Sequence, residues 1–250
     1  MILETLPSAE NAPVMASQNQ LLLALLRAQP GAISTYIRDV RLTAGHTVGE
    51  EGVVSRTVIF PEGALLSSVV TMSDGRTVEV ATLGQGDAVG VLSCLTSEPE
   101  VCRTVVRIGG PAKAIAAPVL KAAADQDEGI RRALLRTIRV AAIRAEHEHA
   151  CSVLHDVTAR LAKWLLLSCV RTGDSRLPLT QEDMAMVLGV QRTTLNASAL
   201  HLKAEGCIRY SRGVLQVLDM ARLERHACEC YAHGVRGLEP DDLTGPRRVA

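Results

Sequence analysis

LPLTQEDMAMVLGVQRTTLNASALHLKAEGCIRYSRGVLQVLD, residues 177–219, decides the fold of the C-terminal part of this chain. Thr180 stands where a helix N-cap belongs, and Asp183 three residues on supplies a weaker version of the capping box. Met184, Val187 and Leu188 then form an apolar face, and Gly189 ends the helix and permits a sharp turn. The pattern predicts a second helix from Gln191-Arg192-Thr193-Thr194 to Ala204, with Leu195, Ala199 and Leu202 turned inward at spacings of four and three. Glu205-Gly206 stops it. Cys207-Ile208-Arg209-Tyr210 and Val214-Leu215-Gln216-Val217-Leu218 read as two strands joined by Ser211-Arg212-Gly213. The whole is a helix-turn-helix followed by a β-hairpin wing.

Such a second helix enters the major groove of double-stranded DNA by its N-terminal end. The outward positions there are Gln191, Arg192, Thr193, Thr194 and Asn196, with Lys203 further along. Arg can take guanine O6 and N7 together, Asn or Gln can take adenine N6 and N7, and Thr can touch a thymine methyl. Thr180 and Gln181 at the start of the first helix join the candidate DNA-binding set, and Arg209 and Arg212 on the wing are placed to meet phosphate oxygens. Residues 191–212 hold four basic side chains (Arg192, Lys203, Arg209, Arg212) against one acidic (Glu205). The chain as a whole carries no net charge, which limits indiscriminate binding to polyanions. A winged helix used only for protein contact would also suit polar outward positions.

Upstream the texture changes. Residues 1–19 are polar and Pro/Ala-rich and predict a flexible arm. QLLLALLRA (20–28) reads as a short helix ended by Gln29-Pro30-Gly31. From Ile37 to Pro118 short β-rich pieces alternate with turn residues, as in a sandwich or barrel, and Ser73-Asp74-Gly75-Arg76 is the clearest hairpin. A short helix is expected at 119–124, a long one at about 127–152, and another from Asp156 to about Val170. Along the long helix Leu134, Ile138, Ala141 and Ala145 are spaced four, three and four apart. That coiled-coil-like seam would pair two subunits, or else pack on the chain's own sheet. The expected class is α+β. A β-roll sensor domain with flanking helices (20–125) leads to a dimerisation helix (126–153) and a winged helix-turn-helix (154–233). A disordered tail (234–250) follows.

Composition sets bounds on function. Aromatic residues make up 2% of the 250, so recognition by base stacking has little to work with. No secretory signal or membrane-length apolar run stands out, which implies a cytoplasmic protein whose seven cysteines are free thiols.

LHDVTARLAKWLLLS (154–168), LTQEDMAMVLGVQRTTLNASALHLKAEGCIRY (179–210) and ACECY (227–231) resemble the CRP/FNR superfamily of bacterial transcription regulators. TVIFPEGALLSSVVTMSDGRTVEVATLGQGDAVG (57–90) resembles that family's cyclic-nucleotide-binding-like sensor roll. The likeness runs over about 35–233 in the family's order. It implies a homodimer that reads a palindromic operator, works with RNA polymerase and responds to a small-molecule effector. There are departures. Arg192 matches the first Arg of the cyclic AMP receptor branch, but Thr193 replaces its Glu and Ala197 its second Arg, so the operator should differ. Gly90, Arg103 and Thr104 are the candidate ligand-binding residues, but Val91 stands where the family places a ribose-binding Glu.

No cofactor or metal is expected. The iron–sulfur sensors of the family use cysteines near the N-terminus, and none precedes Cys94 here. Cys228 and Cys230 alone supply too few ligands to close a zinc site and read as small apolar residues. His147, Glu148, His149 and nearby His155 read as solvated helix residues. An enzyme is disfavoured: a metal-dependent roll needs several inward histidines, and 35–118 holds only His46. The runner-up is a ligand-binding module that acts through a protein partner.

Overall fold

The structure, a computed structural model, describes residues 4–5 and 17–236. Most of the expected arm (1–3 and 6–16) and nearly all of the expected tail (237–250) lie outside the described residues. Strand β1 (Glu4–Thr5) precedes helices α1 (Gln20–Ala28) and α2 (Pro30–Ile33) and a 3-10 turn (Ser34–Tyr36). Strands β2 (Arg38–Leu42), β3 (Thr47–Gly49), β4 (Thr57–Pro61), β5 (Leu65–Thr71) and β6 (Thr77–Leu83) lead to helix α3 (Val91–Thr96). Strands β7 (Arg103–Ile108) and β8 (Gly110–Ala116) follow, then helices α4 (Ala117–Gln126), α5 (Glu128–Leu154) and α6 (Val157–Thr172). The remainder is β9 (Arg176–Leu177), α7 (Gln181–Leu188), α8 (Arg192–Ala204), β10 (Ile208–Ser211), β11 (Val214–Val217), α9 (Met220–His226) and α10 (Cys230–Arg236).

The N-terminal strands form two antiparallel sheets, ordered β1-β2-β8-β4 and β3-β7-β5-β6. Strand alternation distributes their side chains. On β4, Ile59 points between the sheets to Leu42, Leu66, Val89 and Val106, while Val58 and Phe60 point to the helices. There α1, α4 and the start of α5 add Leu22, Leu25, Leu120, Ile130 and Leu134. The chain's single Phe lies fully buried in this cluster. The end of the arm is pinned: Asn19 caps α1 by accepting from the Leu22 amide and donates its own amide to the carbonyls of Pro61 (3.0 Å) and Asp87 (2.8 Å). Each hydrogen bond here satisfies a group that burial would otherwise penalise.

Helix α5 opens on Asp127, whose carboxylate accepts from the Ile130 amide, and closes at His155. Asp156 immediately caps α6. The two-residue break between α5 and α6 is therefore built into the sequence by a cap that restarts the helix in a new direction. Beyond it, α6 to α9 and a third sheet, ordered β10-β11-β9, enclose Leu161, Trp164, Leu165, Met184, Leu195, Leu202, Leu215 and Leu223. Leu65 and Ile108 of the roll belong to the same buried cluster, so the two parts share a continuous apolar core at their junction.

Candidate DNA-binding interface

The turn between α7 and α8 follows directly from local sequence. Thr180 and Asp183 form a full reciprocal capping box at the start of α7. Gly189 ends that helix in the left-handed region (φ 64°), where a Cβ is costly. Gln191 starts α8 with extended backbone. Leu195, Ser198 and Leu202 face inward, with Ala199 half-buried beside them. Ser198 is an inward position that the apolar spacing does not reveal; its hydroxyl lies 3.1 Å from that of Thr158 on α6.

Gln191, Arg192, Thr193, Thr194, Asn196 and Lys203 are all exposed. Gln181 on α7 donates its side-chain amide to Asn196 Oδ1 at 3.1 Å, which ties the two helices at the outward surface. The Thr180 hydroxyl is spent on Asp183, at 2.6 Å, and on the cap. On the wing Arg209 is exposed and donates to Gln216 Oε1 at 2.8 Å across the β10–β11 pair. Arg212 and Gly213 both have positive φ (48° and 77°), as a two-residue type I′ turn requires. Arg212 is thereby exposed at the wing tip. A polar helix end and a wing with exposed arginines, mounted on one apolar core, define a nucleic-acid-reading class of protein.

The reading head is seated against the roll by polar groups that sequence reasoning missed. Arg107 on β7 donates to Ser67 Oγ (3.0 Å) and pairs with Asp183 (3.4 Å) while its other nitrogen reaches Met186 Sδ (3.2 Å). Trp164 Nε1 on α6 donates to Thr82 Oγ1 at 3.0 Å. Ser67 and Thr82 in turn donate to the carboxylate of Glu79 on β6. Burial raises that carboxyl to about 7, against the hydroxyl hydrogen bonds and the nearby charges of Arg107 and Arg171, which lower it. Next to this network, buried Asp87 pairs with Arg144 of α5 and lies 3.8 Å from Arg171 of α6. Roll, long helix and reading head thus meet on a few charged side chains.

The other predicted residues fall less tidily. Gly90 caps α3, Arg103 opens β7, and Thr104 is buried with its hydroxyl 3.0 Å from that of Ser68. None of the three lines the cavity of about 650 Å³ beside β2, β3 and β4, which is bounded by Arg41, His46, Val48, Arg56 and Ile59 among others. Of the seam residues, Leu134 is 0% exposed in the roll's own helical core, so it offers no surface to a second subunit. Ile138 is half-buried against the same core, and Ala141 and Ala145 are exposed. The stripe therefore starts inside its own chain and emerges after Ile138. Leu135, 51% exposed, is the large apolar residue that the spacing overlooked. His147, Glu148 and His149 are all exposed, as expected, although His147 stacks on His233 at 4.5 Å and Glu148 pairs with Lys163, while His155 is half-buried. Cys228 and Cys230 do not stand alone: Cys151 and His155 join them.

Residues 159–226 match the family profile described as the Crp-like helix-turn-helix domain. The chain is 26% identical over 204 residues to the CRP-like cAMP-activated global transcriptional regulator of Mycobacterium tuberculosis H37Rv, covering 78% of this chain and 91% of that protein. Among solved structures, a CRP-family transcriptional regulator from Thermus thermophilus superposes with a TM-score of 0.63 at 20% identity, over 75% of this chain and 95% of that one. FixK2 of Bradyrhizobium japonicum superposes with a TM-score of 0.63 at 16% identity, over 77% and 98%. The solved structures establish the fold. The Crp-like helix-turn-helix profile and the relative, which is similar along most of its length, support a DNA-binding transcription regulator.

Proposed function

We propose that the chain works as a homodimer that reads a palindromic operator in the cytoplasm, by binding rather than catalysis, with a small-molecule effector acting through the roll. One observation carries the reading. The N-terminal tip of α8 presents Arg192, Thr193 and Asn196 to solvent while Leu195 and Leu202 anchor its underside, and Arg212 stands at the tip of the adjoining wing. Arg192 is the base-reading group, Asn196 with Gln181 reads or positions, and Arg209 and Arg212 hold phosphates. Exposed Leu135, Ala141 and Ala145 on α5 support pairing through that helix, which sets the two reading heads about one DNA turn apart. No helix of the described residues is long and apolar enough to cross a membrane.

The effector would shift a two-state equilibrium through its differential affinity for two seatings of the head on the roll, and RNA polymerase is the downstream partner. The Val91 departure and the positions of Gly90, Arg103 and Thr104 outside the cavity favour an effector other than a cyclic nucleotide held in the relative's manner. The test is an anisotropy titration against genome-mapped sites. A palindrome with half-sites one turn apart and a log–log salt slope of several units supports the reading. Affinity that is neither sequence- nor salt-dependent would favour the module that acts through a protein partner.

A further inference from the structure

The break between α5 and α6 brings together two pairs of groups that lie 75 and 77 residues apart across the sequence. Cys151 lies in the last turn of α5, His155 closes that helix, and Cys228 and Cys230 flank the start of α10. Their ligand atoms all lie within 4.8 Å of one another. Cys151 Sγ is 3.6 Å from Cys228 Sγ, and Cys230 Sγ is 3.7 Å from His155 Nδ1. A tetrahedral zinc ion with bonds of about 2.3 Å to sulfur and 2.0 Å to nitrogen spaces its ligands by about 3.5–3.8 Å. These two separations match that edge length, and every other pair lies within 4.8 Å, close enough for a small closure onto one ion. They are far longer than the ~2.0 Å of a disulfide, and a set this tight encloses one ion rather than a multi-iron cluster.

The surroundings fit the same chemistry. His155 turns its other nitrogen, Nε2, to Glu229 Oε1 at 3.2 Å, the carboxylate contact that orients a ligating imidazole and leaves Nδ1 free to bind. Lys163, itself 3% exposed, donates to Cys151 Sγ at 3.3 Å and pairs with Glu148 at 2.5 Å, so a cation is already in place to offset surplus thiolate charge. The Cys228 thiol and the Lys163 ammonium together hold the Cys151 thiol below its ordinary value.

We propose that Cys151, His155, Cys228 and Cys230 form a closed Cys₃His site for one zinc-class divalent ion, with Glu229 as the carboxylate behind the histidine. Binding displaces the thiol protons, and the ion becomes a staple. It ties the end of the long helix, the α5–α6 break and the C-terminal helix into one unit, and so fixes the direction in which α6 leaves the long helix. This goes beyond the DNA-reading proposal and does not depend on it.

Elemental analysis of the full-length protein purified with a thiol reductant should give one zinc per chain. Cobalt(II) added to metal-free protein should produce the intense visible bands of a tetrahedral thiolate site, bleached by one equivalent of zinc. Cys228→Ser with Cys230→Ser should abolish those bands, His155→Cys should keep one bound ion with a changed spectrum, and Glu229→Gln should weaken zinc binding about 10-fold or more. Circular dichroism checks that the variants fold. Where they do not, the cobalt spectrum of the native chain still decides. Substoichiometric metal, a weak octahedral cobalt spectrum, or zinc binding unchanged by the double serine variant would overturn the site.

Discussion

Replacing Glu79 by Gln isolates one charge at the seam between roll and reading head. The carboxyl is raised from 4.5 to about 7 because burial disfavours the anion more than Ser67, Thr82, Arg107 and Arg171 stabilise it. Between those two values the unfolded chain has lost the proton that the folded chain retains. Stability from this group is therefore full below about pH 4.5, falls as pH rises through the window, and is flat above about 7. At ~1.4 kcal/mol for each pH unit of separation, the loss amounts to roughly 3 kcal/mol. Glutamine keeps an acceptor for one hydroxyl and cannot ionise. Urea denaturation at fixed protein concentration from pH 4.5 to 8 should show the stability difference, E79Q minus wild type, rising by that amount across the window. Parallel pH curves for the two proteins would refute the account of the seam.

Further outcomes follow from the same geometry. Leu134→Ala should destabilise the chain by about 2–4 kcal/mol by leaving a cavity in the roll's helical core, with the subunit count unchanged in sedimentation. Ala145→Glu should do the reverse, splitting a dimer with little effect on monomer stability; a persisting dimer assigns pairing to another surface. Arg212→Asn keeps a residue that tolerates positive φ at the wing tip, so thermal stability should hold while affinity for all DNA sequences drops and the salt slope falls by about one. An unaltered slope would remove Arg212 from the phosphate contacts.

The winged helix was legible because its signals are local. Thr180 with Asp183, Gly189, and the Arg212-Gly213 turn each fix backbone within a few residues, and all adopt the geometry their sequence implies. The β-rich texture and the long helix were readable from periodicity in the same way. Hidden from the sequence were contacts between distant groups. Arg107 and Asp183 are 76 residues apart, and nothing in either neighbourhood marks a partner. Cys151 and Cys228 are 77 apart, which is why two cysteines near the C-terminus read as too few for a metal. The i, i+4 spacing of Cys151 and His155 was the available signal. Leu134 was misassigned because helical spacing shows which residues share a face without showing what covers it. Here the roll covers the first turns and leaves the later ones open.

The central claim is that the tip of α8 reads base edges. It is tested most directly by measuring Arg192→Ala against a mapped operator and a random duplex of equal length at one salt concentration. The account predicts that operator affinity falls about 5- to 150-fold, equivalent to roughly 1–3 kcal/mol, with much less change on the random duplex, so that discrimination narrows. Equal affinity and an identical footprint for the variant and wild type would contradict it.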